Sequence, residues 1–215
     1  MNGIWIFGSC GIFSYLLGSV PSGFLVARAR GVDIRAVGSG NIGATNVYRC
    51  IGKGAGIFTF ACDILKGLAP VALLPLAAVH GAGLSPARSV AVGILCAAAA
   101  VAGHNWPVFL KFKGGKGVAT SAGALLGLAP AAMGIGLCAW LLTFLLTRYV
   151  SVASIAAALA VSAAAWVLRA DNDFLLPAAL TLLAALVVWR HKPNLQRLAK
   201  GTENRFEFGR KKPST

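Results

Sequence analysis

Three segments of this largely apolar chain are rich in side chains that bind phosphate: GSGNIGATNVYR (38–49), GHNWPVFLKFKGGKGVAT (103–120) and HKPNLQRLAKGTENRF (191–206). The first combines three glycines with hydroxyl and amide groups, on Ser39, Asn41, Thr45 and Asn46. Glycines let successive backbone N–H groups turn toward one anion, and an arginine such as Arg49 can clamp a phosphate. The segment predicts an anion site, and an ordinary Gly/Asn-rich turn remains the alternative.

The second segment contains the loop KFKGGKG, whose residues Gly114, Gly115 and Lys116 suggest phosphate binding. It is not the nucleotide-binding P-loop G-x-x-x-x-G-K-[ST], because Lys116 is followed by Gly117. The loop therefore favours a smaller phosphorylated compound over ATP or GTP. A basic loop that only sets membrane orientation is the alternative.

Titratable side chains in or beside these segments suggest further roles. His104 and His191 can exchange a proton near neutral pH, or can be interfacial polar residues. Asp63 and Lys66 stand three apart within an apolar segment and therefore share a helix face. Charges at that depth need a partner, so we expect an internal ion pair or a tie to the polar loops, with direct substrate contact as the alternative. Glu203 is predicted to anchor the chain by pairing with nearby cations, namely Arg197, Lys200 and Arg205.

The composition indicates a membrane protein. Hydrophobic residues make up 57% of the 215 residues and charged residues 12%, and the mean hydropathy is +0.75. This is too few charges for an average soluble domain and too much apolar side chain for a disordered chain. The net charge of +14 lies mostly between apolar segments, which favours membrane topology over nucleic-acid binding. Metal-type cysteine spacing and the hydrolase motif G-x-S-x-G are missing from the sequence, so we predict no metal and no cofactor.

The apolar segments predict an all-α bundle of about seven transmembrane helices. They cover roughly 4–27, 53–79, 87–110, 118–147 divided near Pro130, 152–169 and 174–190. Most of the 20 Lys and Arg residues then fall on one side, which places the N-terminus outside and the C-terminus in the cytoplasm. A five-span version with 118–147 as a re-entrant hairpin gives the same sidedness. We expect one membrane domain over 1–215, with the three polar segments on the cytoplasmic face and a basic tail at 207–215.

In these three segments the sequence resembles the bacterial acyl-phosphate:glycerol-3-phosphate acyltransferase family. The segments DILKG at 63–67 and RYVSVAS at 148–154 also fit, and the resemblance covers about residues 11–206. It implies a multi-pass enzyme of the bacterial inner membrane. Such an enzyme moves a fatty acyl group from acyl phosphate to the sn-1 hydroxyl of glycerol 3-phosphate, giving lysophosphatidic acid and inorganic phosphate. Its partners are these substrates and membrane lipid; the oligomeric state stays open.

The resemblance implies catalytic roles for Ser39, Arg49, His191 and Asn194. It places glycerol 3-phosphate at the loop around Lys116 and gives Glu203 a structural role. The structural role expected for Asp63 and Lys66 rests on their spacing and depth in the apolar segment. The full set of candidate substrate-binding residues is Gly40, Asn41, Thr45, Asn46, His104, Gly114, Gly115, Lys116, Ser151 and Ser154. We expect the glycerol hydroxyl to attack the acyl carbonyl directly, without an acyl-enzyme.

Two alternatives remain at this point. A transporter for a small phosphorylated solute would share the anion sites and the spans. An acyltransferase with a thioester donor would carry the signature H-x-x-x-x-D, but Phe109 stands five residues after His104, and Gln196 five after His191.

Overall fold

The computed structural model describes residues 3–169 and 174–206, and the predicted basic tail at 207–215 lies outside them. The described residues form helices and contain no strand, which confirms the all-α prediction. In chain order the helices are α1 Gly3–Ser19, α2 Ser22–Arg28, α3 Ala44–Cys50, α4 Lys53–Ala82, α5 Pro86–Asn105, α6 Val118–Leu128, α7 Pro130–Thr147, α8 Val150–Val167, α9 Leu175–Arg190 and α10 Lys192–Ala199, with a short 3-10 turn at Val108–Leu110.

Five helical segments of the described chain are long and apolar enough to cross a membrane: Ile4–Arg28, Lys53–Gly81, Ala87–Leu110, Pro130–Thr147 and Val150–Val167. The pair formed by α9 and α10, bent by 49°, makes a sixth if it is counted as one span. The remaining apolar helix, α6, has 11 residues and a length of about 17 Å, short of a bilayer core of about 30 Å.

The expected division of 118–147 is present as a break between α6 and α7. The first helix ends at Leu128 and the second begins with Pro130. Proline has no backbone N–H and disfavours helical geometry in the residue before it, so the break at Ala129 follows from the sequence.

The chain divides into two compact units, the first ending at Pro130 and the second beginning at Ala131. A single membrane domain over 1–215 stays a prediction. Unit 1 contains the polar segments 38–49 and 103–120. Unit 2 contains the segment 191–206.

Helices of unit 1 meet backbone to backbone at glycines. A Cβ atom added to Gly67 of α4 would collide with the carbonyl oxygen of Thr120 in α6, and one added to Gly123 would collide with that of Ile64. A Cβ atom added to Gly103 of α5 would likewise collide with the carbonyl oxygen of Tyr15 in α1. Membrane helices associate through such small residues because lipid supplies no hydrophobic drive. These contacts hold α6 against α4 and α1 against α5, and α4 and α5 are the helices that carry the buried titratable side chains.

In unit 2, α8 packs against α9 through hydroxyl groups. Ser162 and Thr181 lie 2.9 Å apart, and the Trp166 indole donates to Thr181 at 3.0 Å. Beyond α10, the Phe206 N–H donates to the carbonyl oxygen of Arg148 at 2.8 Å, which returns the chain to the start of α8. The segment after α9 is therefore joined to α9 at its start and held by this backbone hydrogen bond at its end.

We predict that Gly123→Ala destabilises the protein by about 1–3 kcal/mol, the usual penalty for overpacking a close contact. The added methyl group would push α6 away from the Ile64 carbonyl of α4. The measurement is the midpoint of thermal unfolding in detergent. Gly8→Ala is the matched control, because a Cβ there meets nothing within 4 Å. Equal midpoints for the two variants would contradict the assigned packing.

Candidate active site

The loop before α3 is organised by the side chain of Asn46, which is 2% exposed. Its Nδ2 group donates to the carbonyl oxygens of Ile34, Val37 and Asn41 at 3.0–3.2 Å. Its Oδ1 atom accepts the Ser39 N–H at 2.9 Å. Because both ends of this amide are engaged, Asn46 shapes the loop, and the expected contact between Asn46 and substrate is not supported.

The backbone N–H groups of this loop are also engaged within the protein. Ser39 donates to Asn46, Gly40 donates to the Val37 carbonyl at 3.0 Å, and Gly43 donates to Asn41 Oδ1 at 2.8 Å. The expected anion nest is therefore not presented by these three amides. The candidate side chains of the loop divide by exposure, with Ser39 exposed and Asn41 and Thr45 half-buried. Arg49, at the end of α3, is exposed as well.

The glycines of the second loop are required by close contact with the end of α5. The Gly115 N–H donates to the His104 carbonyl oxygen at 3.0 Å, and a Cβ on Gly115 would collide with His104 Nε2. A Cβ on Gly114 would collide with the same carbonyl oxygen. Gly117 has φ +76° and faces Asn105 Oδ1. The loop therefore lies flat against His104 and Asn105, with Lys116 half-buried among these glycines.

Beneath this loop lies a buried group of ionisable side chains. Asp63 Oδ1 is 2.8 Å from Lys66 Nζ, and these side chains are 3% and 5% exposed. Lys66 Nζ also donates to the Val20 carbonyl oxygen at 2.8 Å. His104 Nδ1 lies 3.7 Å from Asp63 Oδ1, and His104 is 5% exposed. The predicted ion pair is present, and the mutual pairing of Asp63 and Lys66 does not support direct substrate contact by either.

Glu203 accepts hydrogen bonds from three polar side chains of unit 2. Its Oε1 accepts Ser151 Oγ at 2.9 Å and Asn194 Nδ2 at 2.6 Å, and its Oε2 accepts Arg197 Nε at 2.8 Å. Burial raises the pKa of Glu203, but the hydrogen bonds from Asn194, Ser151 and Arg197 outweigh it and lower the pKa below the ordinary value. The predicted pairing with Arg197 is present in this cluster. Ser151 and Asn194, both expected at the substrate, are held by one carboxylate.

His191 forms the corner between α9 and α10. Its Nδ1 lies 2.8 Å from the Val187 carbonyl oxygen, and the residue is 2% exposed. Because a carbonyl oxygen can only accept, Nδ1 is the donor in this bond. Ser154 donates to the Val150 carbonyl at 2.7 Å and accepts the Trp140 indole N–H at 3.4 Å, so its hydroxyl is used structurally.

The structure thus brings together subsets of the predicted residues within each unit. Sequence reasoning did not find Asn105 beneath Gly117, the Val20 carbonyl that receives Lys66, or Trp140. A backbone carbonyl carries no sequence signal, whereas Asn105 stands inside the recognised segment next to His104. Within residues 3–169 and 174–206, His, Cys, Asp and Glu form no group of three suited to a metal ion.

Comparison with known proteins gives consistent results. The family described as glycerol-3-phosphate acyltransferase matches residues 9–201. A glycerol-3-phosphate acyltransferase of Geotalea daltonii is 46% identical over 91% of this chain and 95% of its own length. One of Rubrobacter xylanophilus is 48% identical over 91% of this chain and 92% of its own length.

Solved structures show the same relationship. The glycerol 3-phosphate form of PlsY (YgiH), an integral membrane glycerol 3-phosphate acyltransferase, has a TM-score of 0.82 and is 39% identical. Its lysophosphatidic acid form has a TM-score of 0.79 and is 38% identical, and each covers 96% of both chains. On this evidence the chain belongs to the glycerol-3-phosphate acyltransferase family and is a multi-pass membrane acyltransferase of phospholipid biosynthesis.

Proposed function

We propose that this enzyme transfers a fatty acyl group from acyl phosphate to the sn-1 hydroxyl of glycerol 3-phosphate, giving lysophosphatidic acid and inorganic phosphate. The observation that supports it most is the likeness to PlsY, whose structures are a glycerol 3-phosphate form and a lysophosphatidic acid form. Acyl phosphate is favoured as donor because the chain lacks the H-x-x-x-x-D signature and carries phosphate-binding chemistry in three segments.

Lys116 is the proposed ligand of the acceptor phosphate. Its backbone is fixed by the glycines on either side, which contact His104 and Asn105. Fixing the backbone of Lys116 before the substrate arrives reduces the entropy lost on binding. Arg49 and Ser39, both exposed near the first loop, are the proposed ligands of the donor's acyl-phosphate head group, with Arg49 able to bind it in bidentate fashion.

The proposed chemistry is a direct attack. The sn-1 oxygen of glycerol 3-phosphate forms a bond to the acyl carbonyl carbon, and the bond between that carbon and the phosphate oxygen breaks. The phosphate leaves with the bonding electron pair, and the hydroxyl proton passes to a base. Because an acyl phosphate is already activated, positioning and charge stabilisation supply most of the rate enhancement.

Two groups can take the hydroxyl proton: Nε2 of His191, or a phosphate oxygen of the donor. A general base contributes about 10²–10⁴-fold to turnover. His191→Ala therefore distinguishes them, since a loss of about tenfold leaves the donor phosphate as the base. A labelled acyl chain trapped on the protein would contradict direct attack.

The proposed topology has seven crossings, with the N-terminus outside, the C-terminus in the cytoplasm and the active site facing the cytoplasm of the bacterial inner membrane. The excess of Lys and Arg on one side supports this orientation. Among the crossings, α6 is the short one, followed by α7 after the break at Pro130. A site at this face lets the acyl chain of the donor stay in lipid while its head group reaches the polar loops.

For donor choice, we expect purified protein in detergent to form lysophosphatidic acid and free phosphate from acyl phosphate and glycerol 3-phosphate. Acyl-CoA and acyl carrier protein thioesters, tested side by side, should give no product. Lipid product from either thioester at a comparable rate would overturn the donor assignment and leave the acyltransferase itself in place.

For the phosphate ligands, we expect Lys116→Ala to raise the KM for glycerol 3-phosphate about 10–100-fold, because it removes a charge-assisted hydrogen bond. The KM for acyl phosphate should stay the same. Arg49→Ala should lower kcat/KM for acyl phosphate by at least about 100-fold. The exposed cations Lys113 and Arg30 provide matched alanine controls. If Lys113→Ala raised the KM as much as Lys116→Ala, a general charge effect would replace the specific contact.

Glu203→Gln should lower the thermal unfolding midpoint at pH 7, because its amide N–H would face Arg197 in place of a carboxylate oxygen. Loss of these hydrogen bonds to a charged group corresponds to about 1–3 kcal/mol. The folded pKa of Glu203 lies below its ordinary value of 4.5, so the ionised form stabilises the fold above that pH. The difference from the unsubstituted protein should therefore shrink as the pH falls below 4.5.

Asp33→Asn is the matched control for this pH series. A hydrogen bond from Arg35 lowers the pKa of Asp33 to about 2, but the pair is exposed and contributes little to stability. Its midpoint should follow that of the unsubstituted protein at every pH. A Glu203→Gln difference that is the same at pH 7 and below pH 4 would contradict the role assigned to the carboxylate.

A further inference from the structure

The imidazole ring of His104 lies between a buried carboxylate and the glycine loop of the proposed acceptor site. We propose that Asp63 is a positioning residue for Lys116, acting through His104 and the loop residues Gly114–Gly117. This deepens the function proposed above, since it rests on Lys116 binding the phosphate of glycerol 3-phosphate.

The carboxylate of Asp63 is fixed from one side. Lys66 Nζ lies 2.8 Å from Asp63 Oδ1 and donates at the same time to the Val20 carbonyl oxygen at 2.8 Å. Two buried charges in an apolar bundle are stable only when they stay paired, because separation would leave each without its hydration. Asp63 is thereby linked through Lys66 to the break between α1 and α2. These contacts keep its carboxylate from moving with the loop.

His104 lies beside this fixed carboxylate, at a distance longer than a hydrogen bond. Its Nδ1 lies 3.7 Å from Asp63 Oδ1, and its opposite nitrogen, Nε2, is the atom that a Cβ on Gly115 would strike. The carbonyl oxygen of His104 accepts the Gly115 N–H at 3.0 Å. A rotation of the ring toward the loop would therefore push the Gly115 backbone, and a rotation away would remove its support.

The other glycines of the loop are also packed against the end of α5. Cβ atoms at Gly114 and Gly117 would meet Pro107 and Asn105, so these glycines are in contact with the end of α5. Glycine-rich backbone is otherwise the most mobile kind, and its ordering is unfavourable in entropy. The contacts from His104 and Asn105 supply the order, and the Cα position of Lys116 follows from them.

A direct role for Asp63 as base or ligand is not favoured by its burial, since the residue is 2% exposed and already paired. Asp63 therefore influences the substrate through the position of Lys116. A displacement of about 1 Å at a reacting or binding group can lower activity up to about 100-fold. The effect should fall on acceptor binding and leave donor binding unchanged.

The test replaces both charges together with neutral groups of similar size, in Asp63→Asn/Lys66→Met, because removing one alone would leave a buried unpaired charge. We expect the KM for glycerol 3-phosphate to rise about tenfold, with the KM for acyl phosphate unchanged. Hydrogen–deuterium exchange in peptides covering Gly114–Gly117 should become faster. Ser14→Ala, which removes another buried hydrogen-bonding side chain of unit 1, is the matched control and should change neither.

If the double variant does not fold, His104→Gln tests the same link at the ring, with the same expected changes in KM and exchange. Unchanged acceptor KM together with unchanged exchange in a folded variant would overturn the proposal. So would a lower unfolding midpoint with a reduced kcat and no change in acceptor KM, since that is the result of a merely structural role. Hydrogen exchange needs no turnover, and Lys116→Ala alone tests the phosphate contact, so failure of the function and failure of the positioning role are distinguished.

Discussion

The ion pair between Asp63 and Lys66 is the constraint on which unit 1 depends. Both side chains are almost fully buried in a bundle of apolar helices, where a charge without a partner is strongly unfavourable. Lys66 also donates to the carbonyl oxygen of Val20, the residue just after α1, which accepts the Ser22 N–H as well. One cation therefore joins α4 to the break before α2, and the carboxylate that pairs with it faces His104 at the end of α5.

Glycine makes this arrangement possible. A side chain at Gly67 or Gly123 would hold α6 away from α4, the helix that carries the ion pair, and one at Gly103 would hold α5 away from α1. The same logic applies to the loop after α5, where Gly115 touches the ring of His104 directly. In unit 2, the carboxylate of Glu203 accepts hydrogen bonds from an amide, a hydroxyl and a guanidinium group. In both units, residues expected at the substrate prove to be held by buried polar partners.

The sequence predicts well whatever depends on local spacing. The helices follow from apolar runs, and the break at Ala129 follows from Pro130. The ion pair of Asp63 and Lys66 follows from a separation of three residues, which is one helical turn. The pairing of Glu203 with Arg197 follows from opposite charges close together in the chain.

Features that depend on contacts between distant parts of the chain were not predictable in the same way. Glycines in the first loop suggest N–H groups open to an anion, but Asn46 Oδ1 and the Val37 carbonyl oxygen already accept hydrogen bonds from these groups. Exposure also depends on such contacts. Ser39 and His104 both lie in polar segments of the sequence, but Ser39 is exposed, whereas His104 is buried beneath the glycine loop. Helix α10 was also missed, since its charged residues read as a polar segment following the last span.

If the buried pair acts on the acceptor substrate through Lys116, a double-mutant cycle measures that coupling directly. The KM for glycerol 3-phosphate would be determined for the unsubstituted enzyme, Asp63→Asn/Lys66→Met, Lys116→Ala and their combination. We expect strong non-additivity: once Lys116 is absent, neutralising the pair should change the KM for glycerol 3-phosphate little further. Effects that multiply independently would contradict it, because the pair would then influence the acceptor by a route that does not include Lys116.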